Sequence, residues 1–438
     1  MEITYWNRPQ EKLDRKTLEI QQLKDLRHTI NNALNTEFYG KRLRGIGISS
    51  GNDITGLEEL RELPFTSKDD LRSSFPYGML SLPIEEVVRL HASSGTTGIP
   101  TVIYHTADDI AAWTELAARS MAATGVGRGD VFQNMMTYGL FTGGLGLHYG
   151  AEKLGVLVIP ASSGNTKRQF RLMKDFSTTV VHATPSYMLH LHSKLEEEGV
   201  LLRDLSLKKA LVGAEPHSEN IRKKIEEVFG LDVYNSYGLS EMNGPGVAFE
   251  CVFKQGMHVW EDHFILEVID PETHEVLDDG EEGELVFTTL KRTATPLIRY
   301  RTRDLSRIYP EVCECGRVHR RIERIKGRTD DMLIINGVNV FPSQIEEVIM
   351  KLPEIGTNYQ IVVEKQGALD RLTVKTEVGP EIFSDDARDM NALRQKIKDH
   401  LKASISISPV VELHEPGILP HFEGKGKRVY DERNGNGK

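Results

Sequence analysis

Three observations predict an α/β chain with a large N-terminal domain of parallel βα units plus an antiparallel region, and a smaller α+β C-terminal domain. Between about residues 130 and 240, short apolar runs end in small or turn residues and lead into helical stretches; strands alternating with helices build parallel sheets with right-handed crossovers. After residue 245 the helical pattern thins and strand-like runs take over. Near Gly327-Arg328-Thr329-Asp330-Asp331 the composition turns polar, which sets a boundary between residues 1–326 and 327–438.

Taken in order, residues 11–35 carry Leu13, Leu18, Ile20, Leu23, Leu26 and Ile30 at helical spacing, the pattern of an amphipathic helix. The βα units are clearest at Thr179–Ala183 into Thr184-Pro185, Ala210–Ala214 into Glu215-Pro216, and Asp232–Tyr234 into Asn235-Ser236-Tyr237. Pro185 suits a first helical position, and Gly199 and Gly230 suit helix ends. Ligands on such sheets sit beyond the carboxyl ends of the strands, where these loops fall. Phe264–Ile269, Gly283–Phe287 and Leu297–Tyr300 read as antiparallel strands. In the last 110 or so residues the pattern predicts a strand, a helix over Ser343–Leu352 and a hairpin about Gln366-Gly367 joining Ile361–Val363 to Leu372–Val378. A helix over Ala387–Ala403, a strand at Pro409–Leu413 and a frayed tail after Asp431 follow.

Composition narrows the function. The 438 residues include 64 acidic side chains against 54 Lys and Arg, a net charge of −10, with the basic residues scattered; nucleic-acid binding needs a clustered positive face, so no such partner is expected. The most apolar run, Gly155–Ala161, is too short for the roughly 20 residues that span a bilayer. Met1–Arg15 contains Glu2, Glu11 and Asp14 and lacks an apolar core, unlike a secretory signal. A cytoplasmic protein is expected, with no membrane partner. The three cysteines, an odd number in a long chain, argue for free or metal-bound thiols rather than a disulfide framework. Cys313-Glu314-Cys315-Gly316 forms a tight pair, and with Cys251 and His258 would supply the four ligands that structural Zn²⁺ prefers, His319 or His263 being alternative fourth ligands.

The strongest chemical signal is His91-Ala92-Ser93-Ser94-Gly95-Thr96-Thr97-Gly98-Ile99-Pro100-Thr101. Its hydroxyls and backbone N–H groups suit wrapping a polyphosphate, although the same residue types also make ordinary solvated turns. No Gly-Lys-Ser/Thr closes it, so it is not a Walker A loop.

Ser93–Gly98 followed by Pro100 resembles the phosphate-binding motif of the adenylate-forming superfamily, which includes acyl-CoA synthetases. Tyr237-Gly238-Leu239-Ser240-Glu241, Tyr300–Asp304, Gly327–Asp331 and Gly424-Lys425-Gly426-Lys427-Arg428 follow in that superfamily's order. Within it the chain most resembles the phenylacetate-CoA ligases, through Tyr5-Trp6-Asn7, Pro64-Phe65-Thr66-Ser67-Lys68, Tyr138–His148, Val212–Pro216 and Asn336–Pro342.

The resemblance implies two steps. An aryl carboxylic acid attacks the α-phosphate of ATP to give an acyl-adenylate and pyrophosphate; coenzyme A then displaces AMP. It implies that Ser93, Ser94, Gly95, Thr96, Thr97 and Gly98 hold the phosphates, that Glu241 binds Mg²⁺, and that Lys425 bridges carboxylate and α-phosphate, with Lys427 as a near rival. Asp304, with Arg328 close in sequence to the boundary, would hold the ribose, while Gly213, Ala214, Glu215, Pro216, Asn235, Ser236 and Tyr237 would cradle the adenine. Tyr138 and Phe141, in a Gly-rich segment not expected to be a regular helix, would line the aryl pocket with Ala214, Tyr237 and Gly238. The small domain would rotate about Asp330 between steps and then offer the loop at Gly337 to CoA. Two departures stand out: Thr101 replaces a frequent superfamily lysine, and His421-Phe422 replaces an Arg-Ser-type pair. A different aryl acid such as an indole-acetate or hydroxybenzoate, a catalytically silent nucleotide-binding homologue and transfer to a carrier protein are the other readings; a homodimer is the expected assembly.

Overall fold

The computed structural model describes residues 3–93, 99–367, 369–379, 387–420 and 427–433. Its organising element is a nine-stranded mixed sheet. Leu157–Ile159, Val131–Asn134, Val180–Ala183, Lys209–Gly213 and Asp232–Leu239 are neighbours in that order and run parallel. The sheet continues without a break through antiparallel strands Gly244–Glu250, Met257–Val259, Arg321–Ile322 and Ile308–Tyr309. The parallel and antiparallel regions, expected as separate blocks, therefore share this sheet. A second, antiparallel sheet orders Phe264–Ile269, Gly283–Thr289, Tyr300–Ser306 and Gly327–Arg328.

The strand expected at Leu297–Tyr300 instead starts at Tyr300 and runs to Ser306. Arg299 takes φ 47°, which breaks extended geometry just before it. The first long helix spans Arg15–Leu34, capped by Asp14, whose side chain accepts the Thr17 N–H. Leu18, Leu26 and Ile30 are fully buried, but Ile20 is exposed because it falls off the buried face. Pro185 opens the helix Pro185–Lys194 behind the Thr184 cap, and Gly230 closes Glu219–Phe229 in the left-handed conformation.

The Gly-rich segment after Phe141 is a regular helix, Thr142–Leu154, against expectation. Glycine disfavours helix locally, but here packing decides. A Cβ on Gly150 would lie 2.6 Å from the Ala117 Cβ and one on Gly146 2.6 Å from Trp113. The bare helix face thus lets this helix seat directly on Ala107–Ala123.

The C-terminal domain sheet is Val410–His414, Leu369–Val378, Ile355–Gln366 and Val429–Asp431, covered by the helices Pro342–Ile349 and Ala387–Ile405. Its own core holds Ile345, Ile361, Val374, Ile397 and Leu401. The strand Val429–Asp431, unexpected from sequence, pairs parallel with Ile355–Gln366. Among the described residues no helix is long and apolar enough to cross a membrane.

Candidate active site

Arg89–Ala92 and Val102–His105, on either side of the Ser/Thr/Gly segment, form an antiparallel pair. Ser94, Gly95, Thr96, Thr97 and Gly98 lie outside the described residues, as does Lys425 with Gly424 and His421-Phe422. Ser93 is described: its N–H donates to the Thr101 carbonyl at 3.1 Å and its hydroxyl bonds that of Thr101. Thr101 in turn donates to Glu241 Oε1 at 3.2 Å.

Glu241 is buried on a short turn, Ser240–Met242, just past the central strand Asp232–Leu239. Arg292 fixes that turn from below, donating to the Glu241 carbonyl and, at 3.1 Å through Nε, to Asn243 Oδ1. Burial pushes the Arg292 guanidinium down to about 10. Lys68 enters from the far N-terminal side, its Nζ 3.9 Å from Glu241 Oε1. Sequence reasoning quoted Lys68 only within a family-like motif, without a role, and passed over Arg292; the absence of a lysine at Thr101 was the signal that pointed to a cation from elsewhere in the chain. A single buried carboxylate among hydroxyls suits Mg²⁺, which takes one or two carboxylates plus phosphate oxygens and water.

Two cavities meet at this point, sharing Lys68, Ser93, Ala214, Ser236, Gly238 and Leu239. The smaller, about 250 Å³, reaches Glu215, Pro216, Asn235, Tyr237, Asp304 and Arg328. Here Tyr237 donates to Asp304 Oδ2 at 2.7 Å and Arg328 to Asp304 Oδ1 at 2.9 Å. Burial pushes the Asp304 carboxyl up, with Arg328 opposing it, and burial followed by the Asp304 charge raises the Tyr237 phenol. Arg328 also pairs with exposed Asp330 at 2.8 Å. Gly213 and Gly238 are required by close approach, since added Cβ atoms would stand 2.4 Å from the Ser236 carbonyl and 1.7 Å from the Gly244 carbonyl.

The larger cavity, about 440 Å³, is walled by Met135, Met136, Phe141, Tyr187 and Pro245, with His182 and Thr184 as polar points. Phe141 and Ala214 line it as the pocket reading expects. Tyr237 lines only the smaller cavity. Tyr138 stands behind the wall: its hydroxyl accepts from Asn134 Nδ2 at 3.0 Å and bonds His148 Nδ1 at 3.1 Å, and its ring packs over Gly144. The reason is the Gly-rich helix, whose bare face takes up the Tyr138 ring. Burial holds His182 at about 3, so it is neutral and donates through Nδ1 to Asn134 Oδ1.

Gly337 sits apart, in the two-residue turn between Leu333–Ile335 and Val338–Val340, with φ 49° at Asn336 and 83° at Gly337. This Asn-Gly turn matches the twist of a hairpin.

The sulfurs of Cys251, Cys313 and Cys315 and a ring nitrogen of His258, all buried, lie within 4.8 Å of one another. Strand register does this: His258 faces Arg321 on one side and Phe249 on the other, which brings it to the Cys313–Cys315 turn. Cys251 Sγ is 3.7 Å from Cys313 Sγ and Cys315 Sγ 3.3 Å from His258 Nε2; tetrahedral Zn–S bonds of about 2.3 Å separate sulfurs by about 3.8 Å. His258 Nδ1 donates to the His319 carbonyl at 3.0 Å, which leaves Nε2 free to ligate. His319 instead accepts the Glu261 N–H. Hydrogen bonds from Cys251 and Cys313 push the Cys315 thiol down, toward the thiolate form that binds metal.

These features define an AMP-binding enzyme: the AMP-binding enzyme family matches residues 53–290, and the AMP-binding enzyme C-terminal domain matches 337–433. The solved structure of a 2-hydroxyisobutyryl-CoA ligase in the postadenylation state with 2-HIB-AMP superposes with TM-score 0.92 at 26% identity, over 98% of this chain and 93% of that one. Among sequences, the phenylacetate-coenzyme A ligase of Pseudomonas putida is 46% identical over 427 residues, covering 97% of this chain and 96% of that protein. That of Thermus thermophilus is 48% identical over 410 residues, 90% and 92% of the two chains. The chain belongs to the phenylacetate-coenzyme A ligase family. The 2-hydroxyisobutyryl-CoA ligase in its thioesterification state, with equal coverage of both chains, superposes at only 0.72, so the two domains here are arranged as in the postadenylation form.

Proposed function

We propose that this chain ligates phenylacetate, or a closely similar aryl acid, to coenzyme A with conversion of ATP to AMP and pyrophosphate through an acyl-adenylate. The observation that carries the reading is the junction of two cavities at Lys68, Ser93 and Ala214, with Glu241 on the wall of the smaller one and Met135, Met136 and Phe141 on the wall of the larger. An aryl group fits the Met135, Met136 and Phe141 walls, and its carboxylate then projects to the junction. On the other side, Asp304 accepts the ribose hydroxyls, held in place by Tyr237 and Arg328, and the loop Gly213–Pro216 with Asn235 and Ser236 borders the adenine.

The obstacle in the first step is bringing two anions together. Lys68 supplies the cation that position 101 lacks, Ser93 and the loop to Gly98 donate to the phosphates, and Lys425 bridges carboxylate and α-phosphate. Glu241 would hold Mg²⁺, which when bound neutralises phosphate charge. The acid oxygen attacks the α-phosphorus, the bond to the β-phosphate oxygen breaks, and pyrophosphate leaves. In the second step the CoA thiol sulfur attacks the acyl carbon and AMP departs. Residues 327–438 form the mobile unit that turns about Asp330 and brings the Gly337 loop to CoA; hinges absorb such motion at a few element-end residues.

Structural Zn²⁺ held by Cys251, His258, Cys313 and Cys315 belongs to the same reading, since four protein ligands leave no open position for catalysis. Thiols arranged for metal rather than disulfides suit a cytoplasmic enzyme, and light scattering will test the homodimer. Pyrophosphate release from ATP, Mg²⁺ and a panel of acids, with and without CoA, tests the function. Phenylacetate with thioester product is expected. Release with another acid alone replaces the substrate, and silence across the panel replaces catalysis with nucleotide binding.

A further inference from the structure

Glu346, on the helix Pro342–Ile349, is buried at the face where the small domain meets the large one. Its Oε2 accepts from the Tyr359 hydroxyl at 2.5 Å and from Arg428 Nη1 at 3.3 Å. The Arg428 guanidinium lies 4.4 Å from the centre of the Tyr359 ring, within cation–π range. Glu346, Tyr359 and Arg428 thus form one charged unit belonging entirely to the small domain. Among the described residues it makes two hydrogen bonds to the large domain. The Ser218 N–H donates to Glu346 Oε1 at 3.0 Å, and Arg428 Nη2 donates to Ser186 Oγ at 2.6 Å.

Both large-domain contacts are at helix starts beyond the carboxyl ends of neighbouring parallel strands: Ser218 caps Glu219–Phe229, and Ser186 opens Pro185–Lys194. Ser186 is also tied to the nucleotide side, its N–H donating to Glu215 Oε1 at 2.6 Å. On the small-domain side, the Arg428 carbonyl accepts the Ile361 N–H at 2.7 Å, which fixes the chain three residues after Lys425.

A buried ion pair adds little net stability over apolar packing, because desolvation offsets the attraction. What it does add is geometric: two charge-assisted contacts are satisfied together in one domain arrangement and are lost together when the small domain turns. We infer that Glu346 and Arg428, closing on Ser218 and Ser186, are a latch for the adenylation arrangement. Ser186 and Glu215 couple the latch to the nucleotide loop. The inference rests on the two-step reaction proposed above.

Ser186→Ala removes one cross-domain contact without touching the cavities at the junction; Arg428→Lys keeps the charge but loses the fork and the ring stacking. Two half-reactions are read separately, the pyrophosphate burst without CoA and thioester formation from supplied phenylacetyl-adenylate with CoA. The burst should slow about tenfold in Ser186→Ala and by ten- to a hundredfold in Arg428→Lys, as expected for lost hydrogen bonds to a charged group, while thioester formation stays within twofold or quickens. Equal loss in both halves, or an unchanged burst, overturns the latch. A second readout needs no turnover: dyes at Glu196→Cys and Asp399→Cys, exposed positions one on each domain, report the interdomain distance. A broadened distance distribution in Ser186→Ala is expected, and an unchanged one overturns the latch whichever acid the enzyme uses. If the wild type gives no burst with phenylacetate, yet Ser186→Ala still broadens the distance distribution, the substrate reading alone fails.

Discussion

Replacing Lys68 with methionine keeps the length of the side chain and deletes its charge. At 3.9 Å from Glu241 Oε1, a unit pair interacts by about 4 kcal/mol at an effective dielectric of about 20. The Lys68 side chain is 39% exposed, so solvent and salt screening reduce what the position can contribute to about 1.4–2 kcal/mol. If Lys68 supplies the cation absent at Thr101, that amount appears as a 10- to 30-fold fall in kcat/KM for ATP in pyrophosphate release. Thioester formation from supplied acyl-adenylate, in which no pyrophosphate forms, should stay within about twofold. The deficit should also shrink at high ionic strength, because the wild-type advantage is Coulombic. An ATP dependence equal to that of the wild type, or the same loss in both half-reactions, refutes the charge argument.

Lys425→Ala should abolish the pyrophosphate burst and spare thioester formation from supplied acyl-adenylate; equal loss of both removes its assigned role. Metal analysis should find about one zinc per chain, and stripping it with a chelator should lower the melting temperature; a metal-free protein of unchanged stability rejects the site. Stability should fall on acidification below pH 6.5. Burial holds His182 and His217 at about 3, so between 6.5 and about 3 each takes up a proton on unfolding, and the stability present above 6.5 is lost as pH falls. Together they contribute about 2.7 kcal/mol per pH unit in that window. Denaturant titrations at pH 6 and 5 should show His217→Gln with a slope smaller by about 1.4 kcal/mol per pH unit. Parallel slopes would mean His217 is not held neutral, although Arg324 donating to its Nε2 at 2.6 Å requires that form.

Much of the fold was legible because its signals are local. The βα units at Val180–Ala183 and Lys209–Gly213, the helix start at Pro185 and the C-terminal hairpin depend on periodicity and turn residues within a dozen positions, and they lie where the pattern puts them, with the helix expected from Ser343 opening one residue earlier at Pro342. The third expected unit fails, since Asp232–Leu239 is one continuous strand that leads through a short turn into the antiparallel strand Gly244–Glu250 rather than into a helix. The Gly-rich helix Thr142–Leu154 was not legible, since glycine opposes helix locally and only the Ala107–Ala123 partner reverses that preference. The strand Val429–Asp431 is too short to stand out and exists through its pairing with Ile361–Val363.

The candidate site divides along the same line. Residue types alone drew attention to the Ser/Thr/Gly segment and the Cys313–Cys315 pair, because hydroxyl donors and thiolate character belong to side chains, whereas Glu241 and Asp304 stood out only through the resemblance of their motifs to a known family. Tertiary structure chose the company those residues keep. Lys68 reaches Glu241 from far along the chain, His258 rather than His263 or His319 meets the cysteines through strand register, and Tyr138 turns away from the cavity to bond Asn134 and His148. The physical reason is range: backbone preference and side-chain chemistry act over a few residues, whereas distances between remote side chains are set by how sheets and helices pack.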